Sequence, residues 1–206
     1  YLTFDVAGTD AGVEDALAAA LDAADFKCVL FRGAGRLPAD LGQRLVSMAQ
    51  QRGLAALVAD DTTLARALNA DGVHLAWNTA PLEHYQGARR ALGGEAMIGA
   101  DAGRSRHDAM ELGEAGATYV AFGIPAHVAD RATAEARQRE LVAWWSEIFE
   151  VPVVACDVDS EAQAGALATA GADFVAVGIA SDMRPDAIAA DIRRFAAAIA
   201  GVEVPA

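Results

Sequence analysis

Aspartate recurs at the ends of short apolar runs in this chain, so any chemistry should be sought there. Asp5 follows Leu2-Thr3-Phe4, Asp60 and Asp61 follow Ala55-Ala-Leu-Val-Ala59, and Asp101 follows Ile98-Gly99-Ala100. Asp157 and Asp159 follow Val151-Pro-Val-Val-Ala-Cys156. Arg32, Trp77 with Asn78, the stretch from Gly123 to Arg131, and Gly178 to Asp182 stand at equivalent places. A carboxylate in such a position has two uses. It can hold a hard cation, because Mg²⁺ is bound through one or two carboxylates plus water and phosphate oxygens. It can also cap a helix, accepting from free backbone N–H groups at the positive end of the helix dipole. Capping suffices for Asp61, which precedes Thr62-Thr63-Leu64. For Asp60 the two uses are evenly matched, which makes it the candidate Mg²⁺ residue.

The remaining reactive side chains give weaker signals. His74 lies inside an apolar run and reads as a hydrogen-bonded core histidine. His84 and His107 read as surface residues. His127 stands in a long connection where an acid-base or ligand-binding role is open, without a partner visible in the sequence. Cys156 closes an apolar run and has no evident base, which favours a small buried residue over a nucleophile.

The elements that must position these residues are eight short apolar runs, at 2–6, 27–31, 54–59, 73–76, 96–99, 118–123, 151–156 and 174–178. Segments with helical spacing separate them, so the strands are expected to be parallel and the connections to be crossover helices. Pro38 and Pro81 are placed as first helical residues, with Gly53 and Gly93 closing those helices. Ser105 with Asp108, and Ser160 with Gln163, read as capping boxes. Glu114-Ala-Gly-Ala-Thr-Tyr-Val-Ala-Phe-Gly-Ile124 recurs as Thr169-Ala-Gly-Ala-Asp-Phe-Val-Ala-Val-Gly-Ile179, and Asn69-Ala-Asp-Gly-Val-His-Leu75 is a looser copy. Repeated βα units of this kind predict a compact single-domain (β/α)₈ barrel over 1–206, with ligands at the strand C-termini. An open doubly wound sheet is the alternative; it is disfavoured because Gly33-Ala-Gly35 leads into Arg36-Leu37-Pro38 and lacks the third glycine of the dinucleotide fingerprint. The longest connection, 124–134, has the place of a lid, and Trp144 and Trp145 beyond it read as packing.

The totals exclude several functions. With 206 residues, 54% hydrophobic and 22% charged, the chain suits one globular domain without a spanning helix. A net charge of −13 opposes nucleic acid and anionic membrane as partners. Two cysteines are too few for a disulfide framework and suit the reducing cytoplasm. The chain begins at Tyr1 without methionine, so a missing targeting peptide is left open.

The run Val58-Ala-Asp-Asp-Thr-Thr-Leu-Ala-Arg-Ala-Leu-Asn-Ala-Asp-Gly-Val-His-Leu75 resembles, without a gap, the signature I-N-D-R-x-D-L-A-x-x-x-G-A-D-G-V-H-L-G-Q-x-D of thiamine phosphate synthases. Ile98-Gly99, the Ala-Gly-Ala-x-Tyr-Val-Ala-Phe-Gly run, Trp144-Trp-Ser-Glu147, Val151-Pro-Val-Val-Ala155 and Ala170-Gly-Ala-Asp-Phe-Val-Ala-Val177 extend the match over nearly the whole chain. The resemblance implies a compact (β/α)₈ barrel, a homodimer, and the joining of hydroxymethylpyrimidine diphosphate to a thiazole phosphate with release of pyrophosphate. It also implies Mg²⁺ and a small-molecule, thiamine-related ligand. The implied catalytic positions are Arg32, Asp60 and Arg131, with Asp60 as the metal residue. Asp101, His127, Asp157, Gly178 and Ser181 are the implied ligand-binding positions.

Departures from the family pattern cluster at the mouth. Where the family has glutamine, arginine and lysine, this chain has Leu30, Arg32 and Ala34; the asparagine and arginine flanking the metal aspartate are Ala59 and Asp61. The Gln-x-Asp is Trp77-Asn78-Thr79, the serine or threonine after Ile98-Gly99 is Asp101, and the phosphate-cradling glycine pair is Asp157-Val158. A carboxylate ~4 Å from a phosphate repels it by about 4 kcal/mol at an effective dielectric near 20. The expectation is therefore a retained scaffold with a substituted site, in which efficient synthase activity is doubtful. The readings that follow are a divergent small-ligand or cation-binding paralogue, a regulatory partner of a true synthase, or a working enzyme using Arg131 and His127. A related thiazole tautomerase shares the fold, but its lid histidine would fall at Ile124.

Overall fold

The computed structural model describes residues 1–7, 12–33, 35, 38–125 and 127–201. Its strands are β1 (Leu2–Asp5), β2 (Cys28–Arg32), β3 (Ala55–Ala59), β4 (Gly72–Leu75), β5 (Met97–Asp101), β6 (Tyr119–Phe122), β7 (Val153–Ala155), β8 (Phe174–Val175) and β9 (Val177–Ala180). The helices are α1 (Gly12–Leu21), α2 (Ala39–Gln50), α3 (Thr62–Ala67), α4 (Pro81–Leu92), α5 (Arg106–Glu114), α6 (Arg131–Ile148), α7 (Glu161–Thr169) and α8 (Pro185–Ala200). From β1 to β8 each strand pairs in parallel with the next, and β9 pairs with β1, Leu2 opposite Val177. The eighth strand is expected as one run but is interrupted at Ala176. Its first half bonds to β7, Ala176 N–H then reaches Ala155 O at 2.9 Å, and Val177 N–H reaches Tyr1 O at 2.9 Å. That change of partner closes a (β/α)₈ barrel and rules out the open sheet.

Alternation along the strands sorts the side chains into two cores. Leu2, Val29, Phe31, Ala56, Val58, Val120, Phe122 and Val153 face the helices. Tyr1, Cys28, Leu30, Leu57, Tyr119, Ala121, Val154 and Ala176 fill the interior. Period two is the strand signature, and here it separates barrel lumen from helix layer. Each large apolar side chain fully buried in this way contributes ~1.5–3 kcal/mol.

The internal repeat has a structural purpose at the bottom of the barrel. Asp71, Thr118 and Asp173 occupy the same position in the three copies. Each accepts from a backbone N–H in the first two residues of the preceding odd-numbered strand: Asp71 from Ala56 at 2.8 Å, Thr118 from Ile98 at 2.9 Å, and Asp173 from Val153 at 2.8 Å. Two residues earlier the chain turns through the left-handed region at Asn69, Gly116 and Gly171. Asparagine and glycine tolerate that conformation best, so the repeat is a helix end followed by a strand clamp.

Helix punctuation follows the expected chemistry with two corrections. Asp61, Ser105 and Ser160 cap α3, α5 and α7, accepting from Leu64, Asp108 and Gln163 N–H. Pro81 opens α4 as expected, whereas Pro38 is the N-cap of α2 and not its first residue. The connection after β6 is shorter than 124–134, because Asp130 caps α6 by accepting from Thr133 N–H and the helix begins at Arg131. Trp145 is buried, donates to Val151 O at 2.7 Å and stacks on Phe149, while Trp144 lies under the Arg106 guanidinium; both are packing residues. Among the described residues no helix is long and apolar enough to cross a membrane.

Candidate functional site

A cavity of about 610 Å³ opens at the C-terminal ends of the strands. It exists because the inward positions there are small. Ala59, Ala76, Ala176, Gly178 and Ala180 line it, and a Cβ added at Gly178 would meet nothing within 4 Å. Below it the lumen is filled by larger side chains. The ring of Tyr119 occupies the space that a side chain at Gly99 would need, and Leu30 and His74 complete the floor.

Charge enters the cavity from seven side chains: Asp5, Arg32, Asp60, Asp101, Arg131, Asp157 and Asp159. Adjacent strands end in register at Asp5 and Arg32, which form a two-point ion pair through both carboxylate oxygens. Arg131 is paired with Asp159 and also donates to Ile124 O at 3.2 Å. Each arginine is thus matched by an aspartate of its own. Asp60, Asp101 and Asp157 have no arginine partner among the described residues. Each instead accepts a backbone N–H: Asp60 from Ala76 at 2.7 Å, Asp101 from Gly103 at 2.7 Å, and Asp157 from Ile124 at 3.0 Å. Asp60 and Asp157 both hold left-handed backbone, at φ 56° and 54°, which turns the chain out of the strand and the carboxylate back over the cavity.

Asp101 and Asp157 meet across Gly123. A Cβ at that glycine would stand 2.9 Å from Asp101 Oδ2 and 2.5 Å from Asp157 Oδ2, so the two oxygens are at most about 5.4 Å apart. Like charges at ~5 Å repel by about 3 kcal/mol at an effective dielectric near 20, less where solvent reaches Asp157. Burial pushes the Asp101 carboxyl up to about 7; Asp157 adds to the rise, and the Gly103 and Gly123 N–H groups oppose it. Burial also raises Asp157, against the pull of Ile124 N–H and Arg32.

The floor is a polar chain. Tyr1 and Tyr119 hydroxyls are 2.8 Å apart, and Tyr119 hydroxyl is 2.9 Å from His74 Nδ1. Burial drives His74 down to about 4, so at neutral pH its ring is uncharged. A neutral ring that accepts at Nδ1 carries its proton on Nε2. The core reading of His74 holds, with the addition that the ring faces the cavity. Cys156 also lines it, with its thiol held well above the usual range by burial and by Asp101 and Asp157, in keeping with a small buried residue.

The expected site residues divide clearly. Arg32, Asp60, Asp101, Arg131, Asp157 and Gly178 share this cavity. Ser181 does not line it: its hydroxyl is buried and accepts from Ala7 N–H at 2.8 Å. His127 is exposed on the loop after β6 and is not among the lining residues. His84 is half-buried and bonded to Asn78 at 2.7 Å, not a surface residue, whereas His107 is exposed. Ala34, Arg36 and Leu37 lie outside the described residues. Among the described residues, no group of three or more His, Cys, Asp or Glu side chains is placed to hold a metal ion together. Asp60 lines the cavity and accepts Ala76 N–H through Oδ1.

Two features escaped sequence reasoning. The ion pairs Asp5–Arg32 and Asp159–Arg131 have no local signature, since their members lie in different βα units. Gln138 and Gln163 form a buried amide chain behind the site. Gln138 donates to Phe122 O at 2.8 Å and Cys156 O at 2.6 Å, Gln163 donates to Gln138, and Asp159 N–H donates to Gln163. Polar residues on the buried face of α6 and α7 were the available signal.

A sequence model described as thiamine monophosphate synthase matches residues 4–181. A thiamine-phosphate synthase of Hyphomonas neptunium is 40% identical over 156 residues, 76% of this chain and 69% of that protein. One from Erythrobacter litoralis is 44% identical over 142 residues, 68% of this chain and 65% of that protein. The thiamine phosphate pyrophosphorylase structure from Pyrococcus furiosus superposes with a TM-score of 0.73 at 22% identity, covering 97% of this chain and 95% of that one. At that identity the superposition shows the fold.

Proposed function

This chain belongs to the thiamine monophosphate synthase family, and from that premise we propose that its mouth takes a small organic cation instead of two phosphate-bearing substrates. The observation carrying this reading is the meeting of Asp60, Asp101 and Asp157 in one cavity whose two arginines are already matched by Asp5 and Asp159. A pyrimidine diphosphate and a thiazole phosphate both bring negative charge. Anion sites are built from glycine-rich backbone, helix N-termini and free cations, and here Asp157-Val158 stands where the glycine pair belongs. The family reaction is therefore expected to be slow in this chain. If Mg²⁺ enters, Asp60 is the residue that would hold it through one oxygen, with water or a phosphate completing the shell.

Retention of Arg32, Asp60 and Arg131 at one cavity favours a second reading, a synthase that frees its arginines when substrate arrives. The two readings part in thermal denaturation against Mg²⁺ with pyrophosphate, thiazole phosphate, thiamine phosphate, thiamine and simple amines. A ligand at 100 times its dissociation constant adds roughly 2.7 kcal/mol, a plain shift in Tm. Shifts with thiamine and amines alone support the cation reading; shifts with the phosphates support the synthase.

A further inference from the structure

Resting on the cation-binding reading, we propose that Thr3 and Gly178 form a subsite in the cavity wall that takes a short, uncharged, hydroxyl-bearing arm of the ligand. Gly178 lies inside strand β9 and is not among the glycines with left-handed backbone, so no turn requires a glycine there. It is nevertheless exposed, because it lines the cavity and a side chain begun at its position would meet nothing within 4 Å. Glycine weakens a strand interior and is kept where something else approaches the backbone closely. Nothing in the described chain takes that place.

A second observation comes from the neighbouring strand. Thr3 is paired in register with Gly178 on one side and Leu30 on the other, about 4.8 Å from each. Leu2 and Phe4 belong to the outer core, so the Thr3 side chain between them faces inward, where it lines the cavity. Thr3 is only 7% exposed, and its hydroxyl has no hydrogen-bond partner among the described residues. No fully enclosed side-chain oxygen or nitrogen among them goes unbonded, so this hydroxyl opens onto the cavity beside the space at Gly178.

The surroundings select the arm. Two residues further along the same strand faces, roughly 6.6 Å away, Arg32, Asp5 and Ala180 are likewise in register. Arg32 is held by both carboxylate oxygens of Asp5, so neither charge is free for an ionised group. An anionic arm would therefore lack a cation, and an alkyl arm would cover the Thr3 hydroxyl without bonding to it. An alcohol meets both demands. Its oxygen can donate to or accept from Thr3 while its methylene groups lie along Leu30 and the bare Gly178 backbone.

Isothermal titration of the whole chain with choline and with ethyltrimethylammonium tests this, since the two carry the same permanent charge and differ by one hydroxyl. Choline should bind about fivefold tighter, the worth of one ordinary hydrogen bond. Thr3→Val should erase that preference without lowering Tm, because the hydroxyl has no partner in the described chain to strand. Gly178→Ala places a methyl in the open space, and should weaken choline several-fold while leaving tetramethylammonium unchanged; it keeps the test sound if the first variant melts early. Equal binding of choline and ethyltrimethylammonium to the unaltered chain, or a choline preference that survives Thr3→Val, overturns the subsite and leaves the cation reading standing. Failure of every one of these cations to bind overturns that reading and the subsite with it.

Discussion

Tyr119 hydroxyl stands 2.9 Å from Nδ1 of His74, with the two rings stacked at 5.8 Å between centroids. This contact orients the histidine ring and joins the cavity floor to the buried Tyr1 hydroxyl. Tyr119→Phe strands a buried ring nitrogen and a buried hydroxyl together. It should cost ~1–3 kcal/mol in urea denaturation. Gly99→Ala should be worse, because its methyl would lie within the Tyr119 ring, and no soluble folded protein is expected.

Stability against pH should show two opposed terms. Asp101 is raised from 3.8 to about 7 on folding, so its contribution is greatest below pH 4 and is lost as pH rises to 7. His74 is lowered from 6.5 to about 4, so its contribution is present above pH 6.5 and lost as pH falls to 4. Between pH 4 and 6.5 the two nearly cancel. Asp101→Asn should unmask the histidine, giving a Tm that falls with acidification through that window. His74→Gln should do the reverse. Identical profiles in all three proteins would contradict the assignment.

Gln138 is 2% exposed and ties the ends of β6 and β7 together through two carbonyl groups. Gln138→Leu keeps the volume but leaves Cys156 O and the Gln163 side-chain N–H without that partner, while Phe122 O keeps Cys156 N–H at 3.0 Å. A loss of at least ~2 kcal/mol is expected, against a change within about 0.5 kcal/mol for exposed Arg139→Ala. Because Cys156 O precedes Asp157, the same variant should also weaken the binding of simple amines, by titration calorimetry.

Arg32 and Asp5 are each about two-fifths exposed, so their ion pair adds only ~0–1 kcal/mol to stability. Its effect on binding should be larger. Arg32→Gln leaves Asp5 unmatched at the mouth, and organic cations should bind several-fold tighter in low salt, with the gain shrinking as salt rises.

Barrel and family were legible because their signals are local. The Gly-Ala-Asp/Thr repeat announces a helix end and a buried strand within a few residues, and Asp71, Thr118 and Asp173 show why the third position must accept a hydrogen bond. The aspartates at strand ends were legible for the same reason. Their meeting was not. Asp101 and Asp157 are 56 positions apart in the chain and approach only because β5 and β7 pair with the two sides of β6, which ends at Gly123. Ser181 was misplaced by position alone: it follows a strand end, but its hydroxyl faces Ala7 and not the cavity. The arginines looked free in the sequence because their partners lie 27 and 28 residues away.

On the cation-binding reading proposed above, condensation of phosphate-bearing substrates is expected to be inefficient. The direct measurement is product formation from hydroxymethylpyrimidine diphosphate and thiazole phosphate with Mg²⁺, under conditions where the melting curve shows folded protein. Turnover is expected to lie far below the ordinary enzymatic range of about 1–10³ s⁻¹ and to be unaffected by Asp60→Asn. Turnover within that range, abolished by Asp60→Asn, would contradict it and return the cavity to synthase chemistry.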